Sequence, residues 1–429
     1  MVFRILLFLC AYIPFQVAIN PSEGIDLASV RIFFIFLFWL WLINSLKEKR
    51  INISFSFQTM CLASFVFFCA LSLFLAQDVS WGLRKLIFIF SFVSLYFVVS
   101  DAELKTEHLL EIGKALIFGG FLSAVVGIFQ FAAQFFVGVS TLFVFWAKTS
   151  AFFLGNAFSG AVLKNNSWLV NLGGETVFRV TSFFPDPHIA AFYFGMLAPV
   201  ALGFFFVCED KKQKKMYLFA FLTIILADAL TFSRGGYMGI FSGLLFFGLF
   251  FLKDLPIEKA KKILMVIGVI IVITIAIEPI RSRIISSFNI QEGSNSARIE
   301  TWRQSIDVLK DNYLTGVGLG NYALEVKPTA AWREPIYSHN LYLDIWAETG
   351  FFGFISWVML MGFSIFSLVR TFFLKRNAVF LGVASGIIVF CAHSLFETAL
   401  FSVHVLAILM IFVGISATKM NEVIKKSEK

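Results

Sequence analysis

Charge is what this 429-residue chain has least of: Asp, Glu, Lys and Arg together make up 14% of it, where a soluble domain carries about 25%. That shortage excludes a water-soluble globular fold of this length. With 59% hydrophobic residues, 57 Phe and a mean hydropathy of +0.85, the chain reads as an all-α polytopic membrane protein. Cysteine is scarce too. The five, Cys10, Cys61, Cys69, Cys208 and Cys391, lie in or beside apolar runs without metal-ligand spacing, and so indicate neither a disulfide framework nor a zinc site. Internal repeats, low-complexity tracts and domain linkers are absent as well, which leaves residues 1–429 as one integral membrane domain. The net charge of +8 does not point to nucleic acid, because the basic residues sit in short runs between apolar segments.

About twelve segments approach the ~20 apolar residues that a bilayer core requires: 4–20, 27–46, 55–76, 84–100, 112–136, 188–207, 216–233, 236–252, 263–278, 341–368, 378–395 and 402–418. With the N-terminus inside, the cytoplasmic connections are Lys47 to Arg50, 101–111, Lys211 to Lys215, Lys259 to Lys262 and Arg370 to Arg376, and the tail Lys425 to Lys429 also falls inside. The opposite orientation would expose nearly all these basic runs outside, against the positive-inside rule. The first span has one Arg before it and no small-residue cleavage site after it, so a retained anchor is expected rather than a cleaved signal.

Two long segments then face outward, 137–187 and 279–340. In the second, Ile299, Trp302, Ile306 and Leu309 recur at helical spacing and predict an amphipathic helix against the membrane domain, with Arg298 and Trp302 about one turn apart. Gly316-Val317-Gly318-Leu319-Gly320-Asn321 ends it. No strand precedes this glycine run and no Gly-Lys-Ser/Thr follows, so it reads as a backbone turn rather than a nucleotide site.

Four elements now occur in order: Arg179 to His188 before the sixth span, Thr231-Phe232-Ser233-Arg234-Gly235-Gly236 between two spans, Arg298 with Trp302, and Ser338-His339-Asn340 leading to Glu348-Thr349-Gly350. Together with the glycine run and the twelve-span layout, this pattern resembles the O-antigen ligase and polymerase superfamily. The motifs cover 179–350, and the first 170 residues match only in hydropathy. The resemblance implies a GT-C-type membrane glycosyltransferase that takes a glycan from undecaprenyl diphosphate. It also implies that Arg179, Arg234 and Arg298 bind the diphosphate and that His339 is catalytic.

The residue types fit this chemistry on their own terms. Glycosyl transfer from a lipid diphosphate needs cations on the leaving group and a base for the acceptor hydroxyl. Arginine offers a permanently charged planar fork to phosphate oxygens, and an imidazole, with its usual pKa near ~6.5, accepts a proton at neutral pH. Each has a plainer alternative: Arg179 as a helix-end anchor, Arg234 as a snorkelling side chain, Arg298 as a surface partner of Glu300 or Asp307, His339 as a cap.

Arg84 and Lys85 open the fourth span on the outer side, against the charge bias, and are candidates for diphosphate contact or for snorkelling. His393 and Glu397, four apart at the end of the eleventh span, are expected to share a helix face and support the site, as are Trp302 and Asn340. Asp228, inside the seventh span, is expected to face the bundle interior with a cation or hydroxyl partner. Asp186 and His188 lack a third ligand, so no metal and no cofactor is expected.

The expectation is a metal-independent inverting transferase at the periplasmic face of the bacterial inner membrane, with both termini cytoplasmic. Its partners would be the undecaprenyl-diphosphate-linked glycan donor, a glycan or lipid A core acceptor and the bilayer, with no nucleic acid. The reading leans to the ligase; a glycan polymerase and a protein glycosyltransferase stay open. A lipid-linked oligosaccharide flippase is the rival from another class, but transporters usually show related halves and a midplane site.

Overall fold

The structure, a computed structural model, describes residues 1–22, 25–49, 55–101, 104–164, 167–253, 281, 293–332, 334 and 336–427, without the side chains of 293, 294 and 419–427. The expected span 263–278 and the basic connection Lys259 to Lys262 lie outside the described residues.

The chain forms α1 (Val2–Tyr12), a 3-10 turn (Ile13–Phe15), the hairpin β1 (Ala18–Ser22) and β2 (Ile25–Ala28), α2 (Ser29–Lys47), α3 (Phe57–Leu71) with a 3-10 extension (Ser72–Leu75), and α4 (Val79–Val99). Then come α5 (Thr106–Val137), α6 (Val139–Leu154), α7 (Asn156–Lys164), the hairpin β3 (Leu169–Leu172) and β4 (Glu175–Phe178), α8 (Pro187–Val207), α9 (Lys211–Ala229) and α10 (Arg234–Leu252). After the undescribed stretch follow α11 (Gly293–Asn312), α12 (Tyr322–Val326), α13 (Leu341–Lys375), α14 (Ala378–His393) and α15 (Val403–Ser427). Each expected span other than 263–278 falls on a helix. Seven of the described helices, α2, α3 with its extension, α4, α5, α8, α10 and α13, are long and apolar enough to cross a bilayer.

The first expected span is shorter than its apolar run. Its helix gives way to a 3-10 turn at Ile13–Phe15, because Pro14 cannot donate to a helical carbonyl, and the chain is already in β1 from Ala18. Residues 137–187, expected only as an outward segment, fold into α6, α7 and the β3–β4 hairpin. Gly173 and Gly174, both at positive φ, make the two-residue turn of that hairpin.

Lipid is the solvent this bundle is built for. Large apolar side chains such as Phe36, Phe129, Phe136, Phe219 and Phe366 are more than half exposed on its outside, where a soluble protein would bury them. The interior is organised on α8, which is buried along most of its length between α9, α10 and α14. Small residues let α14 approach closely: a Cβ on Gly382 would fall 2.4 Å from the Pro199 carbonyl oxygen, and one on Gly386 2.5 Å from that of Met196.

The predicted amphipathic helix exists as α11, but it is rotated from its expected face. Ser305 and Leu309 are buried while Ile306 is 49% exposed. The reason is polar docking: Thr301 Oγ1 donates to the Ser338 carbonyl at 3.1 Å, and the Ser305 and Tyr322 hydroxyls are 2.6 Å apart. These bonds turn the Arg298, Thr301, Ser305 and Leu309 side inward.

Candidate active site

Three loops meet at one end of the bundle, and each is a motif read from the sequence. Each also holds one non-glycine residue in the left-handed region: Ser182 (φ 50), Phe232 (φ 49) and His339 (φ 54). Such a conformation costs roughly 1–2 kcal/mol, so the surroundings must hold it. For Ser182 the holder is Gln130 of α5, whose Oε1 accepts the Thr181 and Ser182 amides at 3.0 and 2.9 Å while Nε2 donates to Thr181 Oγ1 at 2.8 Å. One turn on, Gln134 does the same for Phe178, accepting its amide at 2.8 Å.

Each loop then caps the helix it opens. Asp186 Oδ1 accepts the His188 and Ile189 amides at the start of α8, Ser233 Oγ accepts the Gly236 amide at the start of α10, and Asn340 Oδ1 accepts the Tyr342 and Leu343 amides at the start of α13. Asn340, which the sequence reading placed beside the site as a supporting residue, thus also fixes the backbone.

Arg179 is buried, with Nε donating to the Thr231 carbonyl at 2.6 Å and Nη1 to the Ser167 carbonyl at 2.9 Å. Two of its guanidinium nitrogens brace the first loop against the second. Arg234 Nη1 donates to Asn295 Oδ1 at 3.1 Å. Asn295 lies three residues before Arg298, so the first turns of α11 bring Arg234 and Arg298 to the same side. Arg298 reaches on to Glu397, Nη2 to Oε2 at 3.7 Å.

Glu397 joins the cationic and titratable parts of the site. Its Oε1 is 3.0 Å from His339 Nδ1 and accepts the Thr398 amide at 3.2 Å. The ionised carboxylate can only accept, so Nδ1 carries the hydrogen and Nε2 is the nitrogen free to receive one. The His339 side chain is 33% exposed and that of Glu397 only 7%, which puts the imidazole between the carboxylate and open space. The Tyr337 ring lies tilted against the same imidazole, centroids 4.5 Å apart and planes at 53°. Burial pushes its phenol well above the ordinary value, with the Glu397, Asp186 and Asp344 charges adding to this.

Behind the cluster lies a hydrogen-bonded chain through Ser233. Its hydroxyl is 3.0 Å from His188 Nδ1 and 3.4 Å from His393 Nε2. His393 is wholly buried and lies flat on Phe192, centroids 3.6 Å apart. The expected shared helix face of His393 and Glu397 does not form. α14 ends at His393, where Leu395 and Phe396 turn back onto the Ala392 and His393 carbonyls, so His393 enters the core and Glu397 the site.

Burial foremost, with the charge of Glu397 helping and the Ile189 and His188 amides and Arg179 opposing, raises the Asp186 carboxyl to about 6. The expected partner of Asp228 is not found among the described residues: the carboxyl faces the interior, near Gly195 of α8, with no hydrogen bond to Oδ1.

Lys85 is committed to Glu348 at 2.6 Å and lies over the Phe401 ring, and Arg84 stacks on Trp332. Trp302 packs on Phe396, beside Glu397. The glycine run is a splice onto a broken helix: the Val317 and Gly318 amides donate to the Ala347 and Glu348 carbonyls at 2.8 and 3.1 Å, just before α13 breaks at Gly350. Those amides are spent on protein carbonyls, as the turn reading requires.

The sequence reading missed Gln130, Ser233 and Asp344 as parts of the site. Gln130 and Gln134 were detectable as two amides four apart within an apolar span; the pairing of Ser233 with two histidines from distant helices had no local signal.

Residues 218–358 match a family described as O-antigen ligase. The chain is also similar to an uncharacterized protein of Haemophilus influenzae, 28% identical over 228 residues that make up 46% of this chain and 54% of that protein, so the chain spans about half the length of this curated relative. The family match includes Arg234, Arg298 and His339 but neither Arg179 nor Glu397. Over the segment that holds Arg234, Arg298 and His339, the chain is thus similar to the O-antigen ligase family.

Proposed function

We propose that the protein transfers a glycan from undecaprenyl diphosphate to an acceptor hydroxyl, without a metal and with inversion at the anomeric carbon. The observation that carries this reading is Glu397 bound to His339 on one oxygen and facing Arg298 on the other. It couples a base to a cation one side chain away.

In the proposed reaction the acceptor hydroxyl gives its proton to His339 Nε2 as its oxygen attacks the anomeric carbon. The bond from that carbon to the phosphate oxygen breaks, and undecaprenyl diphosphate leaves with the electron pair. Glu397 holds Nδ1–H and stabilises the imidazolium that forms, the part a carboxylate plays behind a histidine base. Arg234 and Arg298 stabilise the departing diphosphate, and Arg179 holds the loop that carries Arg234 through the Thr231 carbonyl. A single displacement inverts the anomeric centre.

The site would lie at the periplasmic face of a twelve-span GT-C-type domain in the bacterial inner membrane, with both termini cytoplasmic; the basic connections between spans support that orientation. Among acceptors, lipid A core is preferred, on the Ser338-His339-Asn340 match and the single large loop before it. A glycan polymerase is the alternative. Deleting the protein separates the two on a surface-glycan gel: loss of a ligase leaves bare core with accumulated lipid-linked polymer, whereas loss of a polymerase leaves single-unit caps.

A further inference from the structure

We propose that Asp344 is the positioning residue that sets the His339–Glu397 pair, one carboxylate tying the residue before the base to the residue after the base's partner. The inference rests on the reading of His339 as the base. Asp344 is buried in the first turns of α13, four residues after the capping Asn340. Its Oδ1 accepts the Ser338 amide at 2.8 Å, and its Oδ2 accepts the Thr398 hydroxyl. Ser338 precedes His339 and Thr398 follows Glu397, and the Thr398 amide in turn donates to Glu397 Oε1 at 3.2 Å. The two halves of the pair come from segments 58 residues apart. Between these segments the backbone supplies the Leu341 amide on the Ser394 carbonyl at 2.9 Å, and Asp344 adds the side-chain link.

His339 needs such a link because its backbone is left-handed. The direction of the imidazole then depends on what fixes Ser338 and Asn340. Ser338 is held on every polar group: its amide by Asp344, its carbonyl by Thr301 Oγ1 at 3.1 Å, and its hydroxyl by the Asn340 carbonyl at 2.7 Å. Only the Asp344 contact also reaches the Glu397 side.

The chemistry asks for an acid at this position. Both donors, an amide and a hydroxyl, need acceptors, and an ionised carboxylate accepts at both oxygens. Asparagine keeps one acceptor and offers an amide that the Thr398 hydroxyl can turn to accept, so it retains both links in altered form. Alanine removes both. The next acid along the helix, Glu348, is engaged by Lys85 at 2.6 Å and does not stand in for Asp344.

Displacing a catalytic group by about 1 Å costs on the order of 10²-fold in rate. The test is a double-mutant cycle on the purified full chain, with lipid-linked glycan extracted from the deletion strain as donor and that strain's glycan-deficient surface lipid as acceptor. The Asp344→Ala variant is expected to lose about 10–100-fold in kcat with the donor KM changed less than about 3-fold, and Asp344→Asn to recover most of the loss. In a Glu397→Ala background Asp344→Ala is expected to cost nothing further, because the geometry it protects is already gone. Thr398→Val cuts one arm without removing a buried acid. It is expected to lose part of the kcat alone and nothing in the Glu397→Ala background, and it serves as the test should Asp344→Ala not accumulate. Full additivity of either variant with Glu397→Ala, or wild-type turnover in both, overturns the inference. Should His339→Ala stay active, the base reading itself fails; if His339→Ala is inactive while the cycle is additive, only the role of Asp344 fails.

Discussion

His339 Nδ1 lies 3.0 Å from Glu397 Oε1, and that contact fixes which imidazole nitrogen is available for chemistry. A neutral imidazole has one donor and one acceptor nitrogen; engaging the donor leaves Nε2 as the nitrogen able to accept a proton. Glu397→Gln keeps the size but loses the charge that stabilises an imidazolium. It is expected to lower kcat by about 10² or more while membrane abundance stays normal, as read by initial rates and immunoblot. Wild-type rates would make the contact merely structural.

Arginine geometry gives a second test. Arg234→Lys and Arg298→Lys keep the charge but lose the planar fork, so each is expected to lose most of its transfer activity at unchanged abundance. Arg179→Lys is expected to reduce folded protein as well, because its Nε and Nη1 brace two loops through the Thr231 and Ser167 carbonyls. Thermal unfolding of the three variants, run beside the activity assay, distinguishes the two behaviours.

Gly350 breaks α13 with φ 71 and ψ −178, a backbone state open essentially to glycine alone. A Cβ there would lie 2.2 Å from the Leu314 carbonyl oxygen. Gly350→Ala is therefore expected to lower the melting temperature and the yield, whereas Gly362→Ala, where a Cβ meets nothing within 4 Å, is expected to be neutral. Equal yields and melting temperatures would show that the break is not required.

Asp186 predicts a pH effect on stability. Burial pushes its carboxyl up to about 6 in the folded protein, against about 3.9 in an unfolded chain. Between those values the folded state holds a proton that the unfolded state has released, so stability falls as pH rises through that window and is flat on either side. Asp186→Asn retains a capping side chain and should flatten that slope. Melting temperatures of wild type and variant at pH 4, 5, 6 and 7 decide this, and parallel curves would remove Asp186 as the cause.

The orientation is checked by labelling. In a cysteine-free background, Thr329→Cys is expected to react with a membrane-impermeant maleimide from the periplasm and Gln213→Cys not to; both positions are exposed. The reverse pattern would put His339 on the wrong side for a flipped donor.

Helix positions were legible in the sequence because a bilayer demands long apolar runs, and the site loops because arginine and histidine stand out in the breaks between them. What was not legible depends on contacts between distant segments. Ile306 lies outward because Thr301 and Ser305 bind polar groups of the neighbouring loops, which helical periodicity does not encode. His393 and Glu397 part because α14 stops at His393, although the residues after it carry no proline or glycine to announce the stop. Asp344 stands inside a motif that was read, but its two partners are set by the return of the 394–398 turn onto the start of α13.

The central claim is that His339 is the base, and its most direct test is turnover by purified His339→Ala with a lipid-diphosphate glycan donor and EDTA present. The side chain is one-third exposed, so truncation opens no core cavity and folding is expected to persist. The account predicts a loss of about 10²–10⁴-fold with an unchanged melting temperature, and wild-type turnover indifferent to the chelator. Wild-type turnover by His339→Ala, or a wild-type enzyme silenced by EDTA, would contradict it.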